Sequence, residues 1–249
     1  MILRRFAQSM REQNWTGITI EFVLLVLGVF LGIQAANWNE ERQMDARRSA
    51  ALARLHAESE AAIAYLEQRI QVMSEDAESR ADTLRRLSDN DWQGVDPGRA
   101  AKALESLQYA PAVSPPRAVY DELISAGLYS ELGDARLRDA VSSYIAMIGF
   151  VQRQIDYVRA RFVERNDGRS FKGERPVFDP TSRRQVRRTY DFPALSNNPE
   201  YVANAVVNNE STIAQVGWTR ELLEKARAMC LELSRIDGKP CTPTTDAAP

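Results

Sequence analysis

Side chains able to do catalytic or metal chemistry are few in this chain. Its 249 residues include one histidine, His56, and two cysteines, Cys230 and Cys241. That removes the raw material for zinc sites, Cys/His nucleophile pairs and haem ligation by histidine. His56 precedes Glu58 and Glu60 on an amphipathic stretch, and Glu60 lies one helical turn further on. A surface hydrogen bond or ion pair accounts for it. Asp121 and Glu122 are neighbours in sequence and point to different sides of a helix, which does not suit a general acid/base pair. The sequence holds no Gly-rich phosphate loop, Gly-x-Ser-x-Gly elbow, Cys-x-x-Cys or His-Glu-x-x-His. The expectation is a protein that is not an enzyme, without catalytic, cofactor-binding or metal-binding residues.

The cysteines have a different use. Cys230 falls near the end of a predicted helix and Cys241 in a Pro/Thr tail, with the turn Asp237-Gly238-Lys239-Pro240 between them. This spacing lets the tail fold back into a disulfide, natural in an oxidising compartment. Two unpaired thiols are the other reading, because spacing alone does not make a bond.

Charge is balanced, 32 basic against 34 acidic residues for a net -2, so any electrostatic argument is local. Hydropathy is not balanced. Ile18 to Ala36 reads ITIEFVLLVLGVFLGIQAA, with only Glu21 and Gln34 strongly polar. As a helix this run is roughly 30 Å long, the thickness of a bilayer's hydrocarbon core. Trp15 and Trp38 bracket it, each beside an Asn, as interface anchors. A cleaved leader would have a shorter apolar run and a small-x-small site, whereas Gln34-Ala35-Ala36 puts Gln where a small residue belongs. The expectation is an uncleaved signal anchor over 16–38. Arg4, Arg5 and Arg11 favour a cytoplasmic tail at 1–15 by the positive-inside rule. Arg42, Arg47 and Arg48 count against that orientation, but they open a long domain, and long domains translocate largely regardless of charge.

At 100° per residue, Gly17, Glu21, Leu25, Gly28, Gly32 and Ala35 share one side of this helix. Small residues let helices approach closely in lipid, and a carboxylate on that face is less costly toward a partner helix than toward lipid. The face is expected to meet a second copy or another membrane protein.

Beyond Trp38 the periodicity is helical. Leu52, Leu55, Ser59, Ala62, Leu66, Ile70, Met73, Ala77, Ala81, Leu84 and Leu87 step by three and four, ending at Asp89-Asn90-Asp91 and Gly94. Asp96-Pro97 opens a short helix to about Gln108, and a Pro-broken loop leads to a second short helix ending at Ala126, with Gly127 as its cap. Asp134 caps a long helix with the stripe Val141, Tyr144, Ile148, Val151, Ile155, Val158 and Phe162, ended by Asp167-Gly168. Asn198-Pro199 opens the last, carrying Val202, Val206, Ile213, Val216, Leu223, Cys230 and Leu233. With no strand signal beyond the ambiguous Arg187 to Phe192, the fold class is all-α: a single transmembrane helix, then an antiparallel helical bundle over 39–238 and a disordered tail at 239–249. The stripes mark a core.

If the short helices turn together at the far end, the irregular segment 167–198 returns toward the membrane. It holds seven basic residues against four acidic, and Arg183, Arg184, Arg187 and Arg188 then face lipid headgroups. A solvated basic loop is the equal alternative. RRQVRR lacks the interleaved aromatics of a nucleic-acid surface, so no nucleic-acid partner is expected.

Two stretches carry a resemblance. GVFLGIQAANWNEER after an Arg-containing tail, and VYDELISAGLYSELGDARLRDAVSSY, resemble an uncharacterised family of bacterial membrane-anchored proteins whose domain has no assigned function. The resemblance covers the N-terminal third and the middle helices and becomes diffuse after Phe162; Asn37-Trp38-Asn39-Glu40 is its most specific part. It implies one N-terminal membrane helix with a helical domain behind it in a Gram-negative-type cell, and no activity. Together these readings predict a single-pass protein of the bacterial inner membrane, its N-terminus cytoplasmic and its domain periplasmic. The expected role is structural or accessory, holding membrane or periplasmic partners. An extracytoplasmic ligand-sensing bundle signalling through a partner is the alternative, because the short tail has no room for an output domain.

Overall fold

The computed structural model describes residues 15–166, 171–182 and 185–242. The described residues are mostly helical, 77% helix, with six α-helices and a two-stranded sheet among them. It divides into two compact units, up to Ala51 and from Leu52 onward. The helix α1 (Trp15–Asp89) contributes to both and is continuous through Asn37-Trp38-Asn39.

In the first unit, α1 has an 18-residue window of mean hydropathy 2.2, none of it buried. By length and composition this is a helix able to cross a membrane. Phe22, Leu25 and Leu31 are each more than 60% exposed.

In the second unit, α1 buries Ser59, Leu66, Met73, Arg80 and Leu87, a strict seven-residue spacing, together with Leu55, Ala62, Ile63 and Leu84. A period of 3.5 keeps one seam facing the neighbours. The expected stripe through Ala77 and Ala81 is corrected: Ala81 is exposed, and Arg80 and Thr83 are buried in its place. Asn90 and Gly94, both at positive φ, end the helix.

Helix α2 (Pro97–Ser106) starts from Asp96, whose carboxylate accepts the N–H groups of Gly98 and Arg99. Residues 107–117 then run back along α1. Ser114 donates its N–H to the Tyr65 hydroxyl at 3.0 Å, and helix α3 (Ala118–Ser125) begins over Glu58. Arg117 offers α3 no side-chain cap, so the Glu58 carboxylate takes that place from across the unit, accepting Val119 N at 2.6 Å and Tyr120 N at 3.3 Å. Arg54 adds a two-pronged contact with Glu122. The short helices therefore lie at opposite ends of α1's second half, not together at the far one.

After a 3₁₀ turn at Tyr129–Glu131, helix α4 (Ala135–Asn166) buries all seven residues of its expected stripe. Asp134 accepts the N–H of Leu137 at its start. Strands β1 (Glu174–Phe178) and β2 (Val186–Tyr190) pair antiparallel, Glu174 opposite Tyr190. This hairpin is a small departure from the all-α expectation, which the mostly helical chain otherwise meets. Gly173 enters it at φ +105, a backbone region that favours glycine, and a Cβ there would crowd Ala194, Leu195 and the Asp191 carbonyl at 3.1 Å. Short helix α5 (Phe192–Ser196) follows, and α6 (Pro199–Asp237) starts with the Asn198 side chain accepting Tyr201 N. Gly238, left-handed, closes it. Arg235 near the end of α6 meets Asp134 at 2.6 Å, and Trp218 meets Phe150 edge to face.

Leu84, Leu87, Leu104, Leu107, Leu195 and Tyr201 form a cluster at the Asp89 end of α1, walled by Trp92, Phe171, Tyr190 and Phe192. The hairpin packs there, against α2. The described part of the hairpin segment therefore lies at the Asp89 end of the second unit. The chain makes its early return through 107–117, so α4 starts at the Leu52 end and delivers the hairpin to the other.

Candidate functional site

The expected association face is open along its length. Gly17, Glu21 and Ala35 are exposed, and a Cβ built on Gly28 or Gly32 would meet nothing within 4 Å. Trp38 is 61% exposed, with the Arg42 guanidinium 4.9 Å from its ring centre. The side chain of Trp15, together with Arg183, Arg184 and the tail residues 1–14 and 243–249, lies outside the described residues. Arg187 and Arg188 point back to their own hairpin, Arg187 toward Asp179 at 3.7 Å and Arg188 to Glu174 at 2.8 Å.

Cys230 and Cys241 are joined in a disulfide, with Cα atoms 5.9 Å apart. The bridge holds residues 239–242, part of the expected disordered tail, so that Thr242 donates its N–H to Glu60 at 2.8 Å. Beside it lies His56, which is buried at 3% exposure, correcting the surface reading. Its Nδ1 is 2.7 Å from Asp237 Oδ2, and Glu60 is 3.8 Å from Nε2, too far for a hydrogen bond. Burial raises the Asp237 carboxyl, but the hydrogen bonds from His56 and the Lys239 backbone and the nearby charges outweigh it and hold the group below its usual range. His56 and both sulfurs cluster within 4.8 Å. With the sulfurs bonded to each other, the trio offers no thiolate ligand.

The feature that sequence reasoning missed lies midway along the second unit. Helix α6 was expected to bury Val206 and Ile213; they are 48% and 53% exposed. Asn208, Thr212, Gln215 and Thr219 are buried instead. Most of these polar groups are satisfied close at hand. Thr212 and Thr219 donate to carbonyls of their own helix, and Gln215 Nε2 donates to the Pro111 carbonyl at 2.6 Å. The face turns inward because of Arg80. Arg80, 5% exposed as a residue, donates through Nε to Asn209 Oδ1 at 3.2 Å and through Nη1 to Ser106 Oγ at 3.4 Å. Burial lowers the arginine's proton affinity against the opposing attraction of Asp76 and Tyr109, yet a guanidinium stays charged in proteins.

A recess of about 20 Å³, room for about one water-sized group, is lined by Arg80 with Met73, Asp76, Tyr109, Thr212 and Gln215. Ser106 and Tyr109 also line a wider cleft of about 930 Å³, open to solvent, that carries Lys102 and Arg159 against Glu105. The signal was present in the sequence: Arg80 occupies the seven-residue register of Ser59, Leu66, Met73 and Leu87. A charge at a seam position demands polar neighbours, and α6 supplies them at 208, 212, 215 and 219.

No family model, no curated protein and no solved structure matches the chain.

Proposed function

We propose that this chain is a single-pass, membrane-anchored accessory protein whose helical domain, an antiparallel bundle, is held outside the cytoplasm and whose membrane helix associates with a partner helix. The observation that carries this is the apolar first unit. A helix of mean hydropathy 2.2 with no residue of that window covered needs an apolar surrounding, and lipid is the one that suits a smooth aliphatic surface. The disulfide supports an oxidising compartment for the domain. Absence of a neighbour over Gly28 and Gly32 leaves space for close helix approach, and Glu21 on the same side favours a protein neighbour. Both a second copy and a different membrane protein satisfy this chemistry.

Crosslinking in native membranes tests it, followed by affinity purification of the wild type and of Gly28→Ile/Gly32→Ile. The reading expects a crosslinked species that the double variant loses while remaining membrane-bound. An unchanged crosslinking pattern would remove the association role from this face. The cleft beside Arg80 specifically favours the second reading, a ligand-sensing domain.

A further inference from the structure

We propose that the recess beside Arg80 is a binding site for the carboxylate of a small organic acid, whose body occupies the adjoining cleft against Tyr109. This deepens the ligand-sensing reading and does not depend on the membrane association described above.

The recess holds a buried charge whose hydrogen-bond partners are neutral and which Asp76 only partly offsets. Arg80 is 95% removed from solvent, and its two hydrogen bonds go to neutral oxygens, Asn209 Oδ1 and Ser106 Oγ. No carboxylate among the described residues comes within 4.0 Å of the guanidinium. Leaving water is costly for a charged group unless a counter-charge is supplied, and arginine cannot escape by deprotonating. Asp76, one turn before Arg80, is the nearest acidic candidate on the same helix, but it is half-exposed and makes no ion pair with Arg80. A core position that needed only volume would be cheaper as Met or Leu, as at Met73 and Leu66 in the same register.

The surroundings are built for a polar guest. Thr212 and Gln215 line the recess in place of the apolar residues that α6 turns outward at Val206 and Ile213. A guanidinium fork matches a planar carboxylate in two-pronged geometry. The recess has room for about one water-sized group, so one carboxylate oxygen enters it while the rest of the planar group lies in the wider cleft, an edge-on approach that a tetrahedral phosphoryl group fits less well. Tyr109, 39% exposed, lines both spaces and offers its ring to the ligand's body. Across the recess and the cleft, Arg80, Lys102 and Arg159 stand against Asp76 and Glu105, and although Arg159 is paired with Asp156 at 3.6 Å, the lining keeps a small basic excess that favours an approaching anion.

The test uses the full chain in detergent micelles, with benzoate as probe, methyl benzoate as its uncharged control and inorganic phosphate as the competing oxyanion. The expected result is a saturable rise in Tm with benzoate that neither methyl benzoate nor phosphate reproduces. Arg80→Met is expected to weaken benzoate by about tenfold or more, with its own ligand-free Tm equal to or above the wild type's. Arg80→Lys, which keeps the charge without the fork, is expected to lie between. If Arg80→Met does not fold, Tyr109→Leu takes its place and is expected to weaken benzoate about tenfold. Equal shifts with acid and ester, an equal or larger shift with phosphate, no response to benzoate, or full affinity in the substituted chain would each overturn the proposal.

Discussion

Reducing the Cys230–Cys241 disulfide perturbs the domain in a way whose size follows from chain geometry. The two residues are separated by 11 positions. In the chain-entropy account, opening a loop of that length frees the unfolded ensemble by about 3 kcal/mol at 25 °C. For a domain of this size each kcal/mol moves Tm by about 2–4 °C, so reduction is expected to lower it by about 6–12 °C. The folded state adds little of its own, because Cys230, 0% exposed, packs equally well as a thiol. Cys241→Ser should therefore match chemical reduction. Cys230→Ser should fall further by about 1–3 kcal/mol, since a hydroxyl replaces sulfur where water does not reach. Differential scanning fluorimetry with and without a dithiol reductant, on wild type and both variants, reads all three numbers. A reduced wild type melting within about 2 °C of the oxidised protein would refute the reasoning, as would Cys230→Ser and Cys241→Ser melting together.

Two further outcomes follow from the same end of the domain. Because the folded Asp237 carboxyl sits below its ordinary value, the stability it contributes is present above about pH 4 and lost as pH falls through the lower folded value. The wild type should therefore exceed Asp237→Asn in Tm at pH 7, and the gap should close below about pH 4; a gap constant with pH would contradict the His56–Asp237 contact. Glu58→Ala, which strips the N-terminal cap from α3, should cost about 1–2 kcal/mol in urea denaturation. Arg54→Ala breaks only a solvated pair with Glu122 and should cost less, so the reverse order would show that capping is not what Glu58 contributes.

Local signals carried much of the fold, and their failures share a cause. Helix starts at Asp96-Pro97, Asp134 and Asn198-Pro199 were legible because a capping side chain acts within three residues of itself. The α4 stripe was legible because apolar residues line one side throughout. In α6 the same rule misled: Val206 and Ile213 face water because a cation on a distant helix makes the opposite side polar, and periodicity does not register a partner 129 residues away. The path of 107–117 depends on Tyr65 and Glu58 reaching the chain some fifty to sixty residues later, so the placement of α3 and the hairpin was not readable locally. The hairpin strands are five residues each, and β1 contains a proline, which dilutes the alternation that would announce them. Of the candidate site, Arg80 was visible as a charge in heptad register, while the recess exists only once α2, 107–117 and α6 surround it.

The central claim is that the apolar helix stays uncut in lipid with the domain on the outer face. Alkaline phosphatase fused after Ser88, expressed in a Gram-negative host and followed by sequencing of the mature N-terminus, tests it most directly. The account predicts an active enzyme, recovered with the membrane and resistant to carbonate extraction, on a chain that retains residues before Ile18. An inactive fusion, or an active soluble one whose chain begins near Asn37, would contradict it.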